Sequence, residues 1–81
     1  IADDNAVNRF LLRKSLERIG HEVVDVFSGP EAVSAVRHST GDQFDAVIMD
    51  LNMPDGDGLS AAKELSLDPG IKAVPIIALT A

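Results

Sequence analysis

The chain has 81 residues, 13 acidic and seven basic, for a formal net charge of −6, and it contains no Cys, Trp or Tyr. A chain of this size supports one modest core. Without cysteine it has neither a disulfide framework nor thiolate metal sites. No apolar run approaches the roughly 20 residues a bilayer requires, and no basic segment followed by an apolar stretch opens the chain as a signal peptide would. The acidic balance argues against binding a phosphate backbone, and the composition does not fit collagen, a coiled coil or disorder.

The charge is unevenly placed. Asp3, Asp4, Asp50, Asp55 and Asp57 are five of the 13 acids and occupy two short segments, while the remaining acids nearly match the bases. A solvated acidic surface would be spread out; concentration of this kind is a first sign of a cation site.

In chain order, Ile1 and Ala2 read as the end of an apolar strand running into Asp3-Asp4. Residues 5–19 predict a helix, with Val7, Leu11, Leu12, Leu16 and Ile19 on one apolar face. Gly20 is placed to end it. The β-branched stretch 22–27 predicts a strand. Ser28 and Glu31 have capping-box spacing, and Pro30 suits a first helical turn, so a second helix is expected from there to about His38, with Ala32, Val33 and Val36 inward. Residues 39–42 read as a turn. Residues 44–51 form an apolar run reaching Asp50, the pattern of a strand covered on both faces. Residues 53–58 read as a loop. Leu59, Ala62 and Leu65 mark a third helix, stopped by Asp68-Pro69-Gly70. Residues 74–79 predict a second buried strand, ending at Thr80.

The order is β-α-β-α-β-α-β in a single domain. Alternation of this kind predicts an α/β fold, a parallel sheet with helices on both faces. Ligands in such sheets sit beyond the carboxyl ends of the strands. Asp3, Asp4, Asp50 and Thr80 fall at such ends. Three carboxylates brought together call for protons or a cation. An all-oxygen donor set favours a hard cation such as Mg2+, which keeps several waters and pairs carboxylates with a phosphoryl oxygen. Asp50, ending the most apolar strand, is the expected nucleophile for an acyl phosphate; Asp3 and Asp4 are the expected metal holders, and Thr80 a hydrogen-bond donor to a transferring oxygen.

Three segments then carry a resemblance: Ala2-Asp3-Asp4-Asn5; residues 47–58, Val-Ile-Met-Asp-Leu-Asn-Met-Pro-Asp-Gly-Asp-Gly; and residues 75–81, Pro-Ile-Ile-Ala-Leu-Thr-Ala. In order and spacing they resemble the receiver domain of two-component response regulators, and with residues 8–23 most resemble the receivers of hybrid histidine kinases. The resemblance implies a flavodoxin-like doubly wound sheet of five parallel strands in the order 2-1-3-4-5. It implies that Asp50 accepts a phosphoryl group from a phosphohistidine. Asp4 and Asp50 would bind Mg2+ directly, Asp3 mainly through water, and the main-chain carbonyl of Asn52 would be a further ligand. Thr80 would be the switch hydroxyl, with Ala81 beside it. The implied partner is a histidine kinase or histidine phosphotransfer protein, in the cytoplasm, with no nucleic acid or membrane contact through this segment; a dimer is left open. The family's lysine at the end of a fifth strand has no counterpart here, since Lys63 lies on the third helix and Lys72 precedes the fourth strand. These residues are expected to be a window on a longer chain, lacking the last helix-strand-helix and most of the first strand.

Two other functions stay open beside this one: a metal-dependent phosphatase with an Asp nucleophile, which Asn52 disfavours because such enzymes place a second acid there, and a receiver-like interaction module that is never phosphorylated. Asp55 and Asp57 read as turn residues, His21 and His38 as surface or capping residues, and Phe10, Phe27 and Phe44 as core. Arg9, Arg13, Lys14 and Arg18 give the first helix a basic side, either a solvated face or part of a docking surface for a histidine-bearing partner.

Overall fold

The structure, a computed structural model, describes residues 1–38, 44–53, 57–68 and 74–79. Residues 39–43, 54–56, 69–73 and 80–81 fall outside it. With them go the expected turn at 39–42, Asp55, the Pro69-Gly70 stop, Lys72 and the switch pair Thr80-Ala81.

Helix α1 spans Ala6–Arg18. The Asn5 side chain caps it, accepting from the amides of Val7 and Asn8 at 3.0 Å each, so two of the donors a helix start leaves orphaned are satisfied. At the other end Gly20 takes φ 97°. The Gly20 amide donates to the Glu17 carbonyl and the His21 amide to the Leu16 carbonyl, both at 3.1 Å. This is the paired arrangement that a left-handed glycine permits. Helix α2 spans Gly29–Arg37 with Ser28 as its cap and Pro30 in its first turn. Ser28 Oγ accepts from the Glu31 amide at 3.3 Å, and Glu31 Oε1 accepts from the Ser28 hydroxyl and, one residue earlier than a standard capping box, from the Phe27 amide.

Strand β1 spans Val47–Asp50, helix α3 Asp57–Leu67 and strand β2 Ile76–Leu79. The strands pair in parallel with Val47 opposite Ile76 and Asp50 opposite Leu79. Ala2 forms parallel bridges to both Val26 and Met49. The Ala2 amide donates to the Ile48 carbonyl at 2.8 Å, the Asp50 amide to the Ala2 carbonyl at 2.9 Å and the Asp3 amide to the Val26 carbonyl at 3.2 Å. The lateral order is therefore the segment at Val26, the segment at Ala2, β1, then β2: second, first, third and fourth along the chain, as expected.

The core lies where α2 and α3 cover one face of this sheet. Ala2, Val47, Met49 and Met53 meet Ala32, Val33, Val36, Ala61 and Leu65, with Phe44, Leu51, Val74 and Ile76 packed around them. Met49 is fully buried. Outside the core, Arg37 of α2 pairs with Glu64 of α3 at 3.0 Å and with Asp68 at 2.9 Å.

Five sequence expectations are corrected. The strand at 22–27 reduces to a single bridge, Val26 to Ala2, closed by hydrogen bonds from the Val26 amide to the Ile1 carbonyl and from the Asp3 amide to the Val26 carbonyl. The apolar side of α1 is not core: no α1 residue is buried, and Val7 and Ile19 are 65% and 70% exposed. Of the phenylalanines only Phe44 packs on the core, while Phe10 and Phe27 are exposed. Helix α3 turns Gly58, Ala61 and Leu65 inward rather than Leu59, Ala62 and Leu65, and β2 leaves Ile77 52% exposed instead of covered on both faces.

Candidate functional site

The Ala2 segment and β1 run side by side, and chain order reverses between them: the next strand segment along the chain lies on the far side of Ala2. That is the topological switch point, where helices leave opposite faces and a crevice opens at the carboxyl ends of the strands. Asp3 and Asp4 follow Ala2 into it, and Asp50 is the last residue of β1. One carboxylate oxygen from each of Asp3, Asp4 and Asp50 lies within 4.8 Å of the others.

The three side chains differ in setting. Asp3 is 3% exposed and its Oδ1 accepts from the Asn5 amide at 2.8 Å. Asp50 is half-buried and its Oδ1 accepts from the Asn52 amide at 2.8 Å. Asp4 is exposed. Two short aspartate-to-amide turns thus hold one oxygen each of Asp3 and Asp50. Among the described residues no lysine or arginine forms an ion pair with any of the three. Like charges at this spacing repel by about 1 kcal/mol per pair through water, and more where water is excluded. A hard, all-oxygen donor set with surplus negative charge fits Mg2+ better than a transition metal or a thiolate-seeking ion.

Asn52 is exposed and follows Asp50 closely enough to cap its carboxylate with its own amide. Thr80, the expected fourth member, lies outside the described residues, as does Asp55; Asp57 opens α3. A separate groove of about 300 Å³ runs between α2 and α3, lined among others by Pro30, Val33, Arg37, Ser60 and Glu64. None of the three acids lines it.

One contributor escapes a reading of the sequence. Arg9 donates from Nη1 to the Asp3 main-chain carbonyl at 2.7 Å, yet in sequence it is one basic residue among several on α1. Gly58, which the resemblance implies shapes the loop after the acceptor strand, lies in α3 against the main chain of Asp50 and Leu51.

A parallel sheet in this order, helices covering it, and acids gathered at its switch point define a receiver-type α/β domain. The chain belongs to the response regulator receiver domain family, whose model matches residues 1–81. It is 35% identical over 81 residues to hybrid signal transduction histidine kinase L of Dictyostelium discoideum, of which it spans 5%. It is equally identical to the polar-differentiation response regulator DivK of Brucella ovis, spanning 63% of that protein. The solved bacteriophytochrome response regulator AtBRR superposes over 98% of this chain and 62% of its own, with a TM-score of 0.83 and 25% identity. The chain thus spans less than two thirds of each of these relatives. It is a receiver domain of two-component signalling with the flavodoxin-like receiver fold. No helix among the described residues is long and apolar enough to cross a membrane.

Proposed function

We propose that this domain accepts a phosphoryl group on Asp50 in the presence of Mg2+ and, as a single signalling module, switches conformation to regulate an output. The observation that carries this is the approach of the Asp3, Asp4 and Asp50 carboxylates to within 4.8 Å of one another at the switch point of the sheet, in a chain of the receiver family.

Asp4 and Asp50 hold the cation directly, Asp3 acts mainly through water, and the Asn52 carbonyl completes the protein's share. When bound, Mg2+ offsets the charge that develops on the transferring oxygens. The Asp50 oxygen left free of the Asn52 amide attacks the phosphorus of a phosphohistidine. The new O–P bond forms as the P–N bond breaks, and the imidazole nitrogen leaves with the electron pair and takes up a proton. Thr80 follows the phosphoryl group as the switch hydroxyl, which adds a local charge with a remote readout. The donor is a histidine kinase or a histidine phosphotransfer protein in the cytoplasm, and the domain turns over no external substrate beyond its own phosphorylation and dephosphorylation. Asn52 bears no acid with which to serve a leaving group, which sets the site apart from an aspartate phosphatase.

The test is direct. Incubation with Mg2+ and acetyl phosphate is expected to add about 80 Da to the intact protein, and Asp50→Asn to abolish the gain. Mg2+ binding without any adduct would leave an interaction module in place of a phosphoacceptor.

A further inference from the structure

Helix α1 sends one side chain back to the acid cluster. Arg9 sits in its first turn, and Nη1 donates to the main-chain carbonyl of Asp3 at 2.7 Å. The guanidinium is itself held. Its Nε lies 3.6 Å from Oδ2 of Asp25, and its central carbon lies 5.9 Å from the centre of the Phe27 ring. Asp25 is fixed in turn by Arg13 Nη1 at 2.7 Å, and Arg13 Nε bonds Glu17 at 3.2 Å. The Arg9 side chain is only 18% exposed.

The carbonyl that Arg9 grips belongs to the peptide leading into Asp4. The Asp3 amide is tied to Val26 at 3.2 Å and the Asp3 carboxylate to the Asn5 amide at 2.8 Å. Arg9 supplies the third tie, on the side facing Asp4. Asp4 itself is exposed and has no ion-pair partner among the described residues. The direction of its carboxylate is therefore set by the backbone that carries it.

We infer that Arg9 is a positioning residue for the acid cluster: gripping the Asp3 carbonyl while Asp25 and Phe27 hold its guanidinium, it turns the Asp3–Asp4 peptide so that Asp4 faces Asp50 ready for a divalent cation. The role rests on the cation-binding half of the proposed function and not on phosphotransfer. Charge alone predicts the opposite sign. Arg9 is a cation beside a cation site, so its removal would tighten Mg2+ binding if field were its only contribution. Positioning predicts weaker binding, and partners that orient ligands are typically worth about 10- to 100-fold in metal affinity.

The experiment is a calorimetric Mg2+ titration of the full chain, wild type against Arg9→Met, Arg9→Lys and Asp25→Asn. Met keeps an apolar stem against Phe27 and loses every donor. Arg9→Met is expected to weaken Mg2+ about tenfold or more. Lysine keeps the charge without the planar fork and should fall in between. Asp25→Asn should weaken binding in the same direction by a smaller factor. In metal-free protein, hydrogen exchange at the Asn5 amide should accelerate in Arg9→Met while amides of α2 and β1 are unaffected, a local loosening that a general loss of stability would not produce. Mg2+ affinity in Arg9→Met equal to or tighter than wild type overturns the assignment. Should that variant melt below the working temperature, unchanged affinity in both Arg9→Lys and Asp25→Asn overturns it instead. Wild type that binds no Mg2+ at millimolar levels removes the cation site and this role with it. Wild type that binds Mg2+ but takes no phosphoryl group sinks the phosphoacceptor function and leaves the Arg9 comparison standing.

Discussion

The α-carbon of Gly58 faces the main chain of Asp50 so closely that a Cβ built there would overlap the Asp50 carbonyl oxygen and lie 2.9 Å from its carbonyl carbon. The start of α3 is thereby seated directly on the end of β1. Gly58→Ala must displace backbone, not a flexible side-chain tip, so it is expected to destabilise the domain by about 1–3 kcal/mol and to slow adduct formation at Asp50. Gly20→Ala is the control. Nothing lies within 4 Å of its Cβ, but φ is 97°, so the cost of about 1–2 kcal/mol is backbone strain alone. Urea unfolding with phosphorylation rates at matched folded fraction checks both; an unaltered rate in Gly58→Ala would sever the link between α3 and the acceptor role proposed for Asp50.

Among the described residues Met49 is the largest fully buried side chain, at 0% exposure. Met49→Ala leaves a cavity and should cost about 2–5 kcal/mol, whereas Met49→Leu keeps the volume and should cost less than about 1.5 kcal/mol. Denaturant midpoints at constant slope measure the difference.

Ser28 caps α2 through its hydroxyl. Ser28→Ala should cost about 1 kcal/mol, and Ser28→Asp should retain most of the cap. Circular dichroism through urea denaturation would show whether the two separate in that order.

On the proposed function Mg2+ binds the folded arrangement of the three acids and not the unfolded chain, so it should raise the melting temperature. At about 100 times its dissociation constant the gain is about 2.7 kcal/mol, several degrees for a domain of this size. Asp4→Asn relieves repulsion in the metal-free state and weakens the site at once. It should melt slightly higher than wild type in EDTA and respond far less to Mg2+. Equal Mg2+ shifts in the two proteins would exclude Asp4 as a ligand.

Much of this arrangement is legible in the residues because local chemistry and global pattern agree. Gly20 and Ser28 mark helix ends by mechanisms that operate within a few residues, and the structure uses both. The apolar run into Asp50 and the short run into Asp3-Asp4 place acids at adjacent strand ends because parallel strands share a direction. What failed depended on neighbours. Periodicity shows that α1 has an apolar side, not whether another element covers it, and among the described residues Val7, Leu11 and Ile19 stay exposed. A β-branched stretch signals extended backbone but not how many of its residues pair, and in 22–27 the bridge falls at Val26. In α3 the inward face is chosen by close approach, favouring Gly58 and Ala61 over the larger Leu59 that hydrophobicity alone selects. Arg9 was invisible as a site residue since its partner is a main-chain oxygen, which every residue possesses.

The short turn that binds Asp50 Oδ1 to the Asn52 amide makes the two oxygens of that carboxylate unequal before any ligand arrives. A free carboxylate in water is symmetric and spins between equivalent faces. This one is handed: one oxygen is anchored by its own chain, and no hydrogen bond reaches the other among the described residues, so an incoming ligand meets two inequivalent atoms in place of an averaged pair.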